Sequence, residues 1–287
     1  MRAIIAATLL LSAALSSSAS AQGSAKTDLA NGVTDTAIKL GWMGDETAGG
    51  ASVELPNLRG LQAYAAYINA RGGILGRQLQ IINLDDKFTP EGGRINFRRL
   101  VNDDRVLAIA NMGGSHISTP LAPSVADAKV PILFPVQTID AQLNVPYFFN
   151  ITSHFADQAD VMVASAAKAV GGADKLKMFV ARLNVPSGQE FDSYIQRSLA
   201  VQKGTYVGAA TMSITQTDYT PTVIEIRRAM EKGANYVALH GSLRTALGVL
   251  AAVSKAGIKT PIVGIQAHAS PALVLNADYR PLSYYPL

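Results

Sequence analysis

Residues 111–120, Asn-Met-Gly-Gly-Ser-His-Ile-Ser-Thr-Pro, combine two glycines, three hydroxyl side chains and one histidine. Such a stretch can support three kinds of chemistry: a backbone cradle for a phosphate, a nucleophilic serine, or non-covalent capture of a polar ligand. A phosphate loop needs the pattern G-x-x-x-x-G-K-[ST], and a nucleophile elbow needs G-x-S-x-G at a sharp turn between strand and helix. The residue types alone do not separate the three.

Phosphate, dinucleotide and metal sites lack their sequence patterns. The phosphate-loop pattern does not occur, and the first junction between strand and helix, residues 43–56, lacks the G-x-G-x-x-G spacing. The four histidines are far apart in sequence and include no i, i+4 pair; they are His116, His154, His240 and His268. We therefore expect no cofactor and no metal ion.

A serine nucleophile comes closer to its pattern. Residues 113–117 are Gly-Gly-Ser-His-Ile, so Ile117 stands where the elbow requires glycine for its tight turn. Ser118 or Thr119, followed by Pro120, predicts a helix that starts too late for an elbow. We expect no catalytic residue and no enzyme activity, with a secreted serine hydrolase as the weaker alternative.

Non-covalent capture is the third possibility. Hydroxyls and free backbone N–H groups ahead of a helix suit a carboxylate or another polar oxygen, because first-turn donors have no partner within the helix. The same hydroxyls could instead only cap the helix, which is worth about 1 kcal/mol. From this stretch alone, the two interpretations are evenly balanced.

The elements that position this stretch alternate between strand and helix. Apolar runs predict strands at 38–43, 78–85, 106–110, 130–134, 178–183, 206–211, 236–239 and 262–265, with helical periodicity between them. This alternation with short connections predicts an α/β fold of parallel sheets flanked by helices. The irregular stretch 135–152 divides the series into two lobes. Ligands of such sheets bind beyond the carboxyl ends of the strands.

The N-terminus and the composition indicate an exported protein. Residues 1–21 combine Arg2, an apolar run over 4–15 and small residues at 19 and 21, which predicts a cleaved signal peptide and a location outside the cytoplasm. The chain contains no cysteine, so neither a disulfide nor a lipid-modified cysteine is expected. The net charge of +4 is small and not clustered, and we expect no nucleic-acid partner.

Four segments resemble a known family. The most specific is INARGGILGR at 68–77, and the others are DDKFTPEGG, DYTPTVIEIRRAMEKGANYVAL and KAGIKTPIVG. These segments resemble the branched-chain amino-acid-binding proteins of bacterial ABC importers, which have the type I periplasmic binding fold. The resemblance covers about residues 37–271. It implies a monomer that captures a small ligand between two lobes and delivers it to a membrane permease of an ABC transporter.

The resemblance also implies a domain organisation. It predicts an N-terminal ligand-binding lobe over residues 31–150 and a C-terminal ligand-binding lobe over 151–287. The family chain crosses back to complete the first lobe, whereas this sequence ends at Leu287 after residues without helical or strand periodicity. We therefore expect an incomplete C-terminal lobe, and a first lobe that lacks its C-terminal return segment and exposes apolar surface. The corresponding alternative function is a ligand-sensing or degenerate relative that does not transport.

The ligand contacts of the family fall on six positions of this sequence: Ser115, Val136, Thr138, Ser187, Ser242 and Gln266. The first three keep the chemistry of the family. In the second lobe, Ser187 and Ser242 replace aromatic residues, and Gln266 replaces the acid that balances a ligand ammonium. Because an amide cannot supply that negative charge, we expect a small polar acid, an amide or an aromatic carboxylate rather than a simple amino acid.

Overall fold

The computed structural model describes residues 31–270 and 283–284, so the predicted signal peptide at 1–21 lies outside the described residues. The strands are β1 (Ala37–Gly44), β2 (Gln78–Asp85), β3 (Ala108–Ala110), β4 (Ile132–Leu133), β5 (Phe148–Phe149), β6 (Lys177–Leu183), β7 (Thr205–Met212), β8 (Tyr236–Leu239), β9 (Ile262–Gly264) and β10 (Ser283–Tyr284). The helices are α1 (Ala51–Asn69), α2 (Pro90–Arg98), α3 (Ser115–Ala128), α4 (Asp140–Leu143), α5 (Phe155–Ala169), α6 (Pro186–Gln202), α7 (Thr220–Glu231) and α8 (Leu243–Lys255).

The strands form two five-stranded parallel sheets. The first sheet has the order β2-β1-β3-β4-β5, and the second has the order β10-β9-β8-β6-β7. We call each sheet with its helices a lobe. Because neighbouring strands are parallel, the carboxyl ends of one sheet lie along one edge. The predicted α/β fold with two helix-flanked parallel sheets is confirmed.

Apolar side chains pack on both faces of the second sheet. Along β6, Phe179 and Ala181 lie in one buried cluster, whereas Met178 and Val180 lie in another. This alternation follows from the two-residue period of a strand, which sends successive side chains to opposite faces. A third buried cluster supports the first sheet. Each lobe thus has a packed core that fixes the loops at its strand ends.

Some large apolar side chains of the first lobe are exposed. Phe149 in β5 and Ile151 just after it have exposed fractions of 53% and 71%, and Phe134 after β4 is also exposed. That the first lobe lacks a return segment stays a prediction. Ser283–Tyr284 pairs in parallel with β9, although two residues are too few to show strand periodicity in the sequence. Among residues 31–270, no helix is long and apolar enough to cross a bilayer.

The start of α3 differs from the prediction. The helix begins at Ser115 with Gly114 as its N-cap residue, and not behind Ser118 or Thr119. The backbone N–H groups of Ile117 and Ser118 already donate to the Gly114 carbonyl, while the Ser118 hydroxyl accepts a hydrogen bond from Gln142. The Ser118 hydroxyl, predicted to cap the helix, is therefore bonded to Gln142 from another part of the chain. The prediction that this helix starts too late for a nucleophile elbow is wrong.

The glycine turn after α1 depends on Gly73 more than on Gly76. Gly73 has a φ of 75°, and a Cβ there would lie 2.0 Å from the Arg77 carbonyl oxygen, whereas Gly76 has a φ of 81° with open space around it. We expect Gly73→Ala to lower the free energy of unfolding by about 3 kcal/mol, and Gly76→Ala by about 1 kcal/mol from backbone strain alone. Urea denaturation of both variants measures this difference. Equal losses would show that the turn relaxes around a new Cβ.

Candidate ligand-binding site

A cavity of about 220 Å³ lies between the two lobes. Its wall in the first lobe includes residues that follow β3 and β4, and its wall in the second lobe includes residues that follow β6, β8 and β9. These are the carboxyl ends of parallel strands, where ligands of α/β sheets bind. The topology therefore brings loops from distant parts of the chain to one place.

Five of the six predicted contacts line this cavity: Ser115, Val136, Ser187, Ser242 and Gln266. Thr138 is not among the lining residues. Its hydroxyl lies 2.7 Å from the carbonyl oxygen of Thr152, to which it donates, and 2.9 Å from the hydroxyl of Thr152. Thr152 lines the cavity instead. Contact of any of these residues with a ligand stays a prediction.

Ser115 and Ser187 join the two lobes across the cavity. Ser115 begins α3 in the first lobe, and Ser187 lies in the first turn of α6 in the second lobe. The Ser115 Oγ accepts a hydrogen bond from the Ser187 backbone N–H at 3.0 Å and donates to the Ser187 Oγ at 2.9 Å. Both residues are buried. Two predicted contacts therefore bond to each other across the cleft.

Several helices begin at the cavity wall. α3, α5, α6 and α8 start at or next to lining residues, namely Ser115, Phe155, Ser187 and Ser242. The first N–H groups of a helix lack partners within the helix, and the helix dipole places partial positive charge there. The Ser242 hydroxyl already caps α8 by accepting from the Thr245 N–H at 3.3 Å. Together these helix starts favour negative charge or polar oxygen in the cavity.

Glu54 is the acidic residue in the cavity wall. Burial, followed by the nearby charge of Asp86, raises the pKa of Glu54 from 4.5 to about 8. One of its carboxyl oxygens accepts the Asp45 backbone N–H at 2.8 Å. Cβ atoms at Gly44 or Gly113 would lie 2.3 Å and 2.6 Å from this carboxyl group, so both positions need glycine beside it. Glu54 is therefore mainly protonated at neutral pH.

Two histidines also line the cavity. Burial lowers the pKa of His240 to about 3, helped by the nearby charges of His268 and Arg182. Burial likewise lowers the pKa of His116. No lysine or arginine is among the lining residues. With Glu54 protonated and both imidazoles neutral, the cavity wall has no ionised side chain at neutral pH.

The comparison with known families decides the class of this chain. A family model described as periplasmic binding protein matches residues 37–283. The chain belongs to this family. Among curated proteins, none matches the sequence.

Solved structures show the same fold for this periplasmic binding protein. A fatty acid ABC transporter substrate-binding protein from Thermomonospora curvata superposes with a TM-score of 0.81 at 19% identity, covering 89% of this chain and 65% of that one. A branched-chain amino acid ABC transporter protein from Thermus thermophilus with bound valine gives 0.77 at 16% identity, with 88% and 65% covered. An R. palustris solute-binding protein in complex with 4-hydroxybenzoate gives 0.70 at 20% identity, with 81% and 62% covered. The chain thus spans less than two thirds of the length of these structures.

Ser115 does not have the hydrogen-bond partners of a catalytic-triad serine among the described residues. A triad needs an imidazole hydrogen-bonded to the nucleophile. The hydrogen bonds described for the Ser115 Oγ go to Ser187, and the adjacent His116 places its Nε2 3.0 Å from the Phe88 carbonyl oxygen. The geometry therefore favours Ser115 as a hydrogen-bonding group over Ser115 as a nucleophile.

Sequence reasoning missed several lining residues of this periplasmic binding protein: Glu54, Phe88, Gln137, Phe155 and His240. His240 directly follows β8, and Gln137 lies between the predicted contacts Val136 and Thr138. A search of every residue after a predicted strand end would have found these two. Glu54 lies inside α1, and no local sequence signal marks it as a cavity residue.

Proposed function

We propose that this periplasmic binding protein captures a small uncharged or anionic ligand between its lobes and delivers it to the membrane permease of an ABC importer. The observation that carries this proposal is a cavity at the strand ends of both sheets whose wall has no ionised side chain. We also propose that the protein is located in the periplasm after cleavage of its signal peptide and that it is a monomer. The boundary between its two lobes is proposed at residue 150. Membership of the family supports them.

The cavity favours a small acid, an amide or an aromatic carboxylate as the ligand. Its volume of about 220 Å³ is below the range of about 300–1,000 Å³ that drug-sized ligands occupy. An ammonium group would need a carboxylate, yet Gln266 is an amide and Glu54 is mainly protonated. Fatty acid, valine and 4-hydroxybenzoate appear in the names of the structural neighbours. The neutral wall favours the acids over the zwitterion.

Closure of the two lobes provides the mechanism. The ligand first meets the first lobe beside Ser115 and Val136, after which the second lobe brings Ser187, Ser242 and Gln266 over it. A ligand shifts the lobes towards closure only if it binds the closed form more tightly, and the second-lobe contacts supply that difference. The permease then recognises the closed form.

The central experiment combines native mass spectrometry with a ligand panel. Native mass spectrometry of the purified protein would reveal any copurified small molecule, unmodified. Thermal shift with leucine, isoleucine, valine, benzoate, benzamide and octanoate would then rank the ligand classes. We expect an acid or an amide to raise the unfolding temperature most. Stabilisation by the three amino acids alone would contradict the proposed ligand class, and conversion of a ligand to a product would contradict simple capture.

Ser115→Ala is the direct test of the first-lobe contact. Removing the Oγ takes away a polar partner at the start of α3, and we expect affinity for the best panel ligand to fall about tenfold. Isothermal titration calorimetry measures the affinity, and Ser193→Ala on the exposed face of α6 is the matched control. Unchanged affinity in a folded Ser115→Ala protein would make the hydroxyl part of the lobe contact only.

A further inference from the structure

One imidazole and two carboxylates meet where the chain crosses between the lobes. The Nε2 of His154 lies 3.0 Å from the Oδ1 of Asp140 and 3.2 Å from the Oε1 of Glu190. One donor atom from each of the three residues lies within 4.8 Å of the other two. The sequence predicts no metal ion because its histidines are far apart, whereas folding brings these three residues together. An imidazole nitrogen with two carboxylate oxygens is a donor set that suits a divalent transition metal.

These three residues, which we call the crossover cluster, come from both lobes. Asp140 begins α4, which lies between β4 and β5 of the first sheet. His154 is the N-cap residue of α5, and Glu190 lies in α6. Both helices belong to the second lobe, since they pack together in the buried cluster that covers one face of its sheet. An ion held by all three residues would therefore connect the two lobes.

Hydrogen bonds from outside the crossover cluster hold its carboxylates in place. The Tyr194 hydroxyl donates to both oxygens of Asp140 at 2.8 Å and 3.0 Å, and the Asp140 backbone N–H donates to both oxygens of Glu190 at 3.1 Å and 3.2 Å. Such outer partners orient the ligands of metal sites. Within the described residues, neither carboxylate forms an ion pair with a lysine or an arginine. A cation at this place would balance their negative charge.

The Nε2 of His154 is buried and makes no hydrogen bond within the described part of the chain, although the two carboxylate oxygens lie close to it. Neither oxygen is therefore aligned with an N–H group on this nitrogen. The separations of 3.0 Å and 3.2 Å are near the spacing of about 3.3 Å between ligand atoms of a tetrahedral ion with bonds of about 2.0–2.1 Å. This geometry fits a shared ion better than a direct hydrogen bond.

The other ring nitrogen of His154 caps α5. Its Nδ1 accepts a hydrogen bond from the Ala156 backbone N–H at 3.2 Å, so the proton of a neutral ring lies on Nε2. Metal binding at Nε2 moves that proton to Nδ1 and breaks this long hydrogen bond. The Gln158 backbone N–H still donates to the His154 carbonyl at 3.1 Å, which keeps the first turn of α5 closed. Loss of the cap lowers the affinity for the ion but removes none of its ligands.

We propose that Asp140, His154 and Glu190 bind a divalent transition-metal ion, preferably Zn²⁺, which joins the two lobes at their crossover. Water completes the coordination, because three protein ligands leave one position open in a tetrahedral site. The Asp140 side chain is 58% exposed, which gives the ion a path of entry. The nitrogen ligand disfavours Mg²⁺ and Ca²⁺, which prefer oxygen ligands. None of the three residues lines the ligand cavity, so the metal site is separate from it.

Isothermal titration calorimetry and thermal unfolding with the metal ion alone test this site. The protein carries no histidine tag and is treated with EDTA and dialysed first. The titration is run at about pH 7.5, because burial raises the pKa of Glu190 to about 7 and protons compete with the ion. We expect one Zn²⁺ per chain, and an unfolding temperature raised by about 5–10 °C at about a hundredfold excess over the dissociation constant. Mn²⁺ should bind more weakly, and Mg²⁺ and Ca²⁺ more weakly still.

Each ligand is removed by a substitution that keeps its structural contact. His154→Asn keeps an oxygen that can cap α5, Glu190→Gln keeps an oxygen for the Asp140 N–H, and Asp140→Asn keeps an oxygen for its hydroxyl partner. Loss of an outer partner alone weakens metal binding about 10- to 100-fold, so loss of a ligand should weaken Zn²⁺ binding at least about a hundredfold. Asp160→Asn on the exposed side of α5 is the matched control. Circular dichroism confirms that each variant is folded.

Loss of Zn²⁺ binding in Asp140→Asn and also in Glu190→Gln would support an ion held by both lobes. Absence of Zn²⁺ binding to the wild-type protein, or equal affinity in His154→Asn and the wild-type protein, would overturn the site. Binding of Ca²⁺ or Mg²⁺ as tight as that of Zn²⁺ would also overturn it, because the carboxylates would then act as an acidic surface only. Capture of a ligand in the cavity does not depend on any of these outcomes, since different residues line the cavity.

Discussion

Raising the pH from about 6.5 to 8 is expected to lower the free energy of unfolding by about 2 kcal/mol, and Glu54→Gln should remove most of this loss. Glu54 has a pKa of about 8 in the folded protein against 4.5 as its ordinary value, and Asp86 has a pKa of about 7 against 3.8, both chiefly because of burial. In this pH window the folded state holds protons that the unfolded state has released. Stability therefore falls as the pH rises through the folded pKa values.

The buried histidines act in the opposite direction at lower pH. The pKa values of His240 and His268 are about 3 and 4 in the folded protein, whereas the ordinary value is 6.5. Below about pH 6.5 the two histidines bind protons in the unfolded state but stay neutral in the folded state. The histidines therefore lower the free energy of unfolding as the pH falls. Between about pH 4.5 and 6.5 this loss offsets the gain from Glu54 and Asp86. We expect a broad stability maximum there.

Urea denaturation at several pH values between about 5.5 and 8.5 measures this profile. Glu54→Gln should be more stable than the wild-type protein at pH 8 by about 1–2 kcal/mol, because the amide carries no charge that burial must suppress. Glu91→Gln is the matched control, since Glu91 is exposed and forms an ion pair with Arg94 on the surface. An unchanged pH slope in Glu54→Gln, or its destabilisation at pH 8, would show that Glu54 is ionised in the folded protein.

Eight of the ten strands in the described residues could be predicted from the sequence, because apolar runs are local signals. The stretch 135–152, predicted as irregular, contains α4 and β5, and β5 and β10 have only two residues each, too few to give a periodic pattern. The turn at Gly73 could be predicted for the same reason, since its backbone conformation depends on a few neighbouring residues. The start of α3 could not. It depends on the conformation of Gly114 and on the bond from Gln142 to Ser118, and these are properties of the folded chain.

The cavity wall was only partly predictable. Ser115, Val136 and Ser187 follow strand ends, where the topology alone places a ligand site. The neutral character of the wall depends on burial of Glu54 and His240, and the groups that surround these two side chains come from distant parts of the chain. The sequence shows a glutamate at position 54 and a histidine at position 240, but it does not indicate whether these side chains are charged. The ligand class is therefore harder to predict from the sequence than the fold is.

Locking the two lobes together should have the largest effect on binding. The Ser115 and Ser187 Oγ atoms are 2.9 Å apart across the cavity, so cysteines at both positions are close enough to form a disulfide with little movement. The chain has no other cysteine that could compete. We expect the oxidised double variant Ser115→Cys/Ser187→Cys to lose ligand binding at least about a hundredfold, because the ligand enters only when the lobes separate.

Reduction of the same protein supplies the internal control. Dithiothreitol should restore binding to the level of the reduced double variant. Because the oxidised and reduced proteins both lack the Ser115 hydroxyl, its loss does not affect the comparison. The single variant Ser187→Cys should bind equally with and without oxidant. Isothermal titration calorimetry measures the affinity, and stopped-flow mixing measures the rate of ligand association. If the oxidised and reduced proteins bind at the same rate, the ligand reaches the cavity without separation of Ser115 from Ser187, and capture by closure of the two lobes is wrong.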